Sequence, residues 1–385
     1  MVTPILFLGD SPSLFTGLGR IGRDIAGRLV RMPEFQVGYL GRGGVPSHHL
    51  PFMQYTFPEM HQWGEDYLEH VWDDFAGPAK GIIMTIWDPS RLLWFACPNR
   101  GLPKELSQFL TSGRFKRWGY FPVDAMGPEG VVTAIDQSVL NGYDRILGYT
   151  IWGSQLMGQS LGRPVDFIPH GFNGKKFQLR DKKAARMALG FEKDDIVVGC
   201  VMSNQARKDW GTAFLTAKLL KERDHRYKFW FHTDLSVRHW SFPALSADLH
   251  VSPLVTTVLN DEQLSYGYAA CDCTFLPSLG EGFGFPIVES QACGVPCVHI
   301  DYAGGAELVA RAAWRVKPVT MRMDGLSNCA RPVLSADAFV EVIEGVIGEH
   351  VPPEEVAESV EHLKWRNLWP IWERWFREGL EDAQG

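Results

Sequence analysis

PSLGEGFGFPIVESQACGVP, running from Pro277 to Pro296, is the stretch on which the reading of this sequence turns. It follows a short apolar run, Cys273 to Leu276, with the makeup of a buried strand, and leads into a second such run, Pro296 to Ile300. Between them a glycine-rich loop opens a helical pattern from Phe285 to Cys293. In that order the loop N–H groups and the helix N-terminus face whatever sits above the strand ends, which suits a phosphate or a sugar oxygen. Gly282 and Gly284 permit close backbone approach. Two carboxylates, Glu281 in the loop and Glu289 on the helix, can each accept hydrogen bonds from a pair of hydroxyls. A polyol carrying a phosphate is the ligand this chemistry fits. A structural turn would account for the glycines, but it leaves the spaced glutamates and the flanking Pro277-Ser278 and Cys293-Gly294-Val295-Pro296 as coincidence.

Outward from this stretch, short apolar runs alternate with amphipathic ones along the whole chain, the pattern of parallel strands linked by crossover helices. The expected class is α/β, with two Rossmann-like domains facing across a cleft. In the first half the expected strands are Ile5 to Leu8, Gln36 to Leu40, Gly81 to Ile86, Trp118 to Val123, Arg145 to Tyr149 and Asp166 to Ile168. The Gly-, Pro- and His-rich stretch from Tyr39 to about Gln62 reads as a long loop near a working face. After Gly171 the series repeats, with strands at Ile196 to Val201 and Tyr227 to Phe231 and a helix over Asp261 to Ala270. The tail from Glu354 to Leu380 carries an aromatic face broken at Pro370. The expected division is 1–170, 171–360 and 361–385, the last a helix packing on the first. At 385 residues the chain exceeds one ordinary core, and 45% hydrophobic with 22% charged residues argues against extended disorder. A net charge of −7 argues against a surface that is one nucleic-acid footprint. Seven cysteines without CxxC spacing suggest neither a disulfide framework nor zinc, and no long apolar span or basic leader appears, so a cytoplasmic protein without membrane insertion is expected.

The phrase from Pro277 to Pro296 resembles the signature of the retaining family-4 glycosyltransferases, E-x7-E within a context like PSxxEGFGxPxxEAxACGxPV. Ser290-Gln291 departs from the small residues usual there. The resemblance implies a GT-B fold with 1–170 as an acceptor-binding domain and 171–360 as a nucleotide-sugar-binding domain, Glu281 on the donor sugar's hydroxyls, backbone amides of Phe283 and Gly284 on the sugar or distal phosphate, Glu289 on the ribose, and Gly282 in the donor-binding set. A second phrase, Val201-Met-Ser-Asn-Gln-Ala-Arg-Lys-Asp-Trp210, sets Arg207 and Lys208 beside a helix start, where two cations neutralise a diphosphate. The family uses an Arg/Lys pair in this way; Ser203 stands where many relatives carry an Arg, and Asn204 joins the donor-binding set. A third phrase, Phe167 to Phe177, resembles the family's IPHGVD segment at the domain handover, with Asn173 in place of Asp and His170 read as structural. The glycine-rich turn Thr16 to Gly22 after the first strand suits a nicotinamide cofactor equally by itself; in the resembled family its glycines lie under the donor diphosphate, which makes Gly17 and Gly19 candidates.

No Asp-x-Asp pair stands where a sugar-diphosphate metal would need it, so no metal and no cofactor are expected beyond the nucleotide-sugar co-substrate. Glu281, Arg207, Lys208 and Asp124 are the candidate catalytic residues. Asp124, at the end of a strand in Tyr-Phe-Pro-Val-Asp, either orients the acceptor hydroxyl or caps the next helix. The expected activity is retaining transfer of a hexose from a UDP- or GDP-sugar to a hydroxyl. The acceptor is open. One alternative is a hydroxymethylated base of DNA, for which Arg100, Lys104, Arg114, Lys116 and Arg117 with Phe115 and Trp118 form a candidate basic and aromatic cluster. An alternative of another class is a non-catalytic sugar-nucleotide binding protein.

Overall fold

Each of the long apolar runs becomes a strand with parallel neighbours. The computed structural model describes residues 2–60, 62–98, 101–235, 239–325 and 327–384. The chain forms two units, one of Met1–Val123, Glu129–Ile168 and Trp369–Gly385, the other of Asp124–Pro128 and Pro169–Leu368. Relative to the division expected from the sequence, the short Asp124–Pro128 segment counts with the second unit, and that unit runs on to Leu368.

The first unit carries strands β1 (Thr3–Asp10), β2 (Phe35–Arg42), β3 (Met53–Phe57), β4 (Gly81–Ile86), β5 (Phe115–Phe121), β6 (Arg145–Gly148) and β7 (Asp166–Phe167), in the order β3-β2-β1-β4-β5-β6-β7. All its strand pairs are parallel. The chain winds outward from β1 to β3 and returns to β4, so the winding reverses between β1 and β4. The strand β3 lies inside the stretch read as loop from Tyr39 to Gln62. Only Phe57 of its five residues is buried, as fits an edge strand, so no apolar run announced it.

The aromatic tail is one continuous helix, Trp365–Gln384, and it passes through Pro370 without the expected break. Pro370 forfeits a single backbone bond. That loss is outweighed by the apolar face beyond it: Trp372 meets Tyr120 at 4.9 Å between centroids and Trp375 meets Trp118 at 5.1 Å, with the Arg145 guanidinium 4.3 Å from the Trp375 ring centre. Much of the chain's unusual tryptophan content is core packing of this kind.

The second unit carries β8 (Ile196–Val201), β9 (Tyr227–His232), β10 (Leu254–Thr256), β11 (Cys273–Leu276), β12 (Cys297–Ile300) and β13 (Arg315–Val316), in the parallel order β10-β9-β8-β11-β12-β13. A separate antiparallel hairpin pairs β14 (Thr320–Asp324) with β15 (Cys329–Val333). Here the winding reverses between β8 and β11, so the loops leaving these two adjacent strands lie at the switch point where open α/β sheets bind ligands. Their core is apolar throughout: Val198, Cys200, Phe231, Phe275 and Val298 from the strands pack with Trp210, Phe214 and Phe339 from the helices. Six of the seven cysteines are buried, Cys97 is half-buried, and none is paired. Among the described residues no helix is long and apolar enough to cross a membrane.

Candidate functional site

Two loops make the site. The one after β8 forms a single 3-10 turn, Ala206–Lys208, before the helix Trp210–Arg223. Asp209 caps that helix, its carboxylate accepting from the Thr212 amide at 3.1 Å and the Thr212 hydroxyl at 2.6 Å. The basic pair therefore precedes the helix instead of opening it. The loop after β11 is tied to this turn at two points, Leu279 N donating to Arg207 O at 2.8 Å and Arg207 Nη1 donating to Gly280 O at 2.7 Å. Gly280 has φ +152 and a side chain there would begin 1.9 Å from Asp124 O, so both conformation and space demand glycine. Gly284, at φ +106, turns the chain into the helix Phe285–Ala292.

A chain of alternating charges runs through these loops. Lys208 Nζ donates to Glu281 Oε1. Arg207 Nη1 lies 3.7 Å from Glu281 Oε2, and its Nε lies 3.3 Å from Asp124 Oδ2. Arg331, on β15, reaches the other Asp124 oxygen at 3.1 Å and also donates to the Asp124 carbonyl at 3.1 Å. Glu281 and Lys208 are only 6% and 8% exposed. Burial alone would raise the Glu281 carboxyl, but Lys208 and Arg207 outweigh it and hold the group at about 2. Burial, with Arg207 adding repulsion, pulls the Lys208 ammonium down to about 8 against the opposing pull of Glu281. At neutral pH the pair is thus an ammonium against a carboxylate.

Beside this pair, the amides of Gly282, Phe283 and Gly284 donate to no protein acceptor among the described residues. Three such N–H groups at a helix N-terminus are suited to an anion or a sugar oxygen. The Phe283 ring stands against His170, with ring centroids 4.1 Å apart. Glu289 is 2% exposed and its Oε2 accepts from Tyr268 Oη at 2.9 Å. Burial, then the neighbouring carboxylate, pushes the Tyr268 phenol well up, which keeps it a donor.

Residues 181–321 match the family model described as Glycosyl transferases group 1. The matched region contains Arg207, Lys208, Glu281 and Glu289, while Asp124 and Arg331 lie outside it. Among curated proteins, the chain is 27% identical over 241 residues to D-inositol 3-phosphate glycosyltransferase 2 of Catenulispora acidiphila, covering 58% of this chain and 55% of that protein. A D-inositol 3-phosphate glycosyltransferase of Mycobacterium sp. strain KMS is 31% identical over 189 residues, 48% of this chain and 41% of its own length. The chain thus spans about half the length of these relatives. Among solved structures, sucrose-phosphate synthase from Thermosynechococcus elongatus superposes with a TM-score of 0.76 at 15% identity, covering 99% of this chain and all of that one. HepE of Anabaena, solved with UDP-glucose, gives 0.69 at 17% identity over 98% of this chain and 99% of its own. The fold is GT-B: two parallel-sheet α/β domains.

Within the group 1 region the structure brings together Arg207, Lys208, Glu281, Gly282, Phe283 and Gly284, with Asp124 joined to them by Arg207. Asn204 has a different employment: its side chain exchanges two hydrogen bonds with the Trp240 backbone, at 3.0 and 3.1 Å, and it is 3% exposed. Asp124 caps no helix, since Thr133 caps the next one, Ala134–Leu140. Gly17 and Gly19 lie in the first unit. Gly19 is pressed against Ser11 O, 2.6 Å from where a Cβ would stand, and its amide already donates to Thr16 Oγ1 at 3.0 Å, whereas Gly17 borders open space.

Of the basic cluster considered for DNA, three members are engaged within the first unit, while Lys104 stands exposed at the start of the helix Lys104–Thr111. Arg114 pairs with Asp73 at 2.7 Å, Lys116 faces Asp144 at 3.7 Å, and Arg117 donates to the Phe95 carbonyl at 3.2 Å; Arg100 lies outside the described residues. Three residues of the site were not read from the sequence: Arg331, Tyr268 and His299. Burial holds the His299 imidazole neutral, its Nδ1 donates to Leu276 O at 2.8 Å, and a Cβ on Gly305 would come within 2.6 Å of its Nε2. None belongs to a recognisable phrase; only the partner in three dimensions gives each its meaning.

Proposed function

We propose that this chain is a retaining glycosyltransferase that moves a hexose from a UDP- or GDP-sugar to a hydroxyl acceptor, without a metal or other cofactor. The observation that carries this is the buried Lys208–Glu281 pair set beside three open amides of the Gly282–Gly284 loop. Glu281 is already held ionised, so it can accept hydrogen bonds from sugar hydroxyls without first losing a proton. Arg207 and Lys208 supply the charge that a departing diphosphate needs, the role a metal would otherwise fill. Glu289, with its Tyr268 partner, is assigned to the ribose.

In the transfer, the bond from the anomeric carbon to the diphosphate oxygen breaks and a bond to the acceptor oxygen forms on the same face. The acceptor proton passes to the departing diphosphate oxygen. Asp124, with its carboxylate between Arg207 and Arg331, is assigned to holding Arg207 in place for the diphosphate instead of orienting the acceptor. A cytoplasmic setting is in keeping with seven unpaired cysteines.

The test is a screen of UDP- and GDP-sugars against hydroxylated acceptors, hydroxymethylated DNA among them, read by mass spectrometry. A product one hexose heavier than its acceptor is expected. Nucleotide-sugar binding with neither transfer nor donor hydrolysis would point to a binding protein in place of an enzyme.

A further inference from the structure

Behind the Lys208–Glu281 pair the second unit keeps a buried imidazole to which the transfer chemistry assigns no task. His299, the third residue of β12, is level with Leu276 on β11 and with Arg315 on β13. It is fully buried, with Glu281, Lys208 and Arg315 as the charged groups near it. Its Nδ1 meets the Leu276 carbonyl at 2.8 Å, and a carbonyl only accepts, so the proton of the neutral ring sits on Nδ1. Nε2 is then a bare lone pair, and it has no hydrogen-bond partner among the described residues. A leucine would fill such a space without leaving a buried acceptor unmet. What leucine cannot do is donate to Leu276, the residue from which the Pro277–Gly284 loop departs.

The edge of the ring that carries Nε2 lies against Gly305. A Cβ on Gly305 would stand 2.6 Å from Nε2 and 3.0 Å from Glu281 Cβ, so glycine fits between the imidazole and Glu281 and nothing larger does. The Gly305 amide donates to Glu281 O at 3.2 Å. Glu281 is thus gripped at both ends, by Lys208 on its carboxylate and by Gly305 on its main chain.

Gly305 belongs to a 3-10 turn, Gly304–Leu308, held in a shape it would not choose alone. Ala303 enters that turn at φ +59 and ψ −173, a region that only glycine visits freely, and such backbone persists where its surroundings over-determine it. At the far end the constraint is Gln291, whose Nε2 donates to Leu308 O at 2.7 Å and whose Oε1 accepts from Ala310 N at 2.7 Å. At the near end it is the His299 ring, the wall behind Gly305. Gln291 is one of the two residues at which the Pro277–Pro296 phrase departs from the resembled signature, and this clasp employs its long side chain.

We infer that His299 is a positioning residue for Glu281: anchored on Leu276 O, it backs Gly305 and so fixes Glu281 against Lys208. The inference rests on the transferase reading given above. His299 acts through Gly305, and its substitution therefore displaces Glu281 without removing any group that holds the nucleotide.

The experiment measures release of UDP or GDP from UDP-glucose, UDP-galactose, GDP-glucose and GDP-mannose by the full chain and by His299→Leu, His299→Asn and Gly305→Ala. Rates are taken as kcat and KM across pH, with calorimetry of free UDP and GDP and thermal unfolding alongside. His299→Leu should lower kcat about ten- to a hundredfold, as a small misplacement of a site residue does, with free-nucleotide affinity unchanged. His299→Asn keeps a donor where Nδ1 stood and should recover most of that loss. Glu281 holds the Lys208 ammonium up, so displacing it should move the alkaline fall of kcat/KM below the parent's about 8 in both His299→Leu and Gly305→Ala. Arg207 and Asp124, the other charges around Lys208, are untouched by these substitutions. A histidine that merely filled the core would lower Tm and leave that limb in place. No release from any of the four donors by the parent would sink the transferase reading and this assignment with it. Release by the parent, together with folded variants that keep its kcat, or lose kcat with an unmoved limb, would sink this inference alone. Should His299→Leu not fold, Gly305→Ala decides by the same two readouts.

Discussion

Replacing Lys208 by methionine strips Glu281 of its contacting cation and leaves only Arg207, whose nearest nitrogen is 3.7 Å away. Holding Glu281 at about 2 instead of 4.5 corresponds to about 3 kcal/mol of stabilisation, at roughly 1.36 kcal/mol per tenfold change in proton affinity. Lys208, pulled from 10.5 to about 8, opposes folding by about the same amount. The intact pair thus comes close to break-even, as buried ion pairs commonly do, whereas removing one partner costs about 3 to 5 kcal/mol. Lys208→Met should therefore destabilise the protein by about 3 kcal/mol at pH 7, and the double variant Lys208→Met/Glu281→Gln should recover most of that.

The pH dependence carries its own signature. Glu281 is depressed in the folded state, so its contribution is complete above its unfolded value of 4.5 and is lost as pH falls towards about 2. Lys208 is depressed as well, so its cost is present below about 8 and is relieved as pH rises from there to 10.5. Urea denaturation followed by circular dichroism should show wild-type stability gaining from this pair across that alkaline window. In Lys208→Met this gain should vanish, and stability should instead recover on mild acidification as the unpaired Glu281 takes up a proton. A single variant within about 1 kcal/mol of wild type at pH 7, or a double variant no more stable than the single, would refute the reasoning.

Lys208 must be charged to meet a diphosphate, so kcat/KM for the donor should fall above about pH 8, and Lys208→Arg should abolish that limb because arginine keeps its charge; a profile level to pH 9.5 in the wild type speaks against it. Glu289→Ala should weaken free-nucleotide binding by about 1.5 to 3 kcal/mol, whereas Glu281→Ala should impair turnover more than nucleotide affinity; calorimetry beside rate measurements separates them, and equal effects of the two would count against the assigned roles. Gly280→Ala places a methyl 1.9 Å from Asp124 O at φ +152 and should cost at least about 1 to 3 kcal/mol from the backbone alone, visible as a lowered Tm; an unchanged Tm contradicts the packing described.

What the sequence made legible follows from how local each feature is. The ranges of β4, β8 and β11 were readable because all their residues, or all but one, are buried, which writes an unbroken apolar run. The loop from Pro277 to Gly284 was readable because glycines, glutamates and helix start lie within one continuous phrase. Edge strand β3 was not, since four of its five side chains escape burial. Nor was Arg331, whose partner Asp124 is 207 positions away and whose hairpin has no periodic signal of its own. Asp124 itself was picked out, but its capping alternative fell only because Thr133 caps the next helix, and the two arginines that share its carboxylate come from distant parts of the chain.

The central claim is that Arg207 and Lys208 carry the charge of a diphosphate leaving with retention at the anomeric carbon. The most direct measurement is the anomeric configuration of the product by proton NMR, made on the wild type with the donor it prefers, alongside turnover of Arg207→Ala and Lys208→Ala. The account predicts that product and donor share one configuration and that each substitution slows transfer by about ten- to a thousandfold, as loss of a charge-stabilising donor does. An inverted product, or near-normal turnover in both variants, would contradict it.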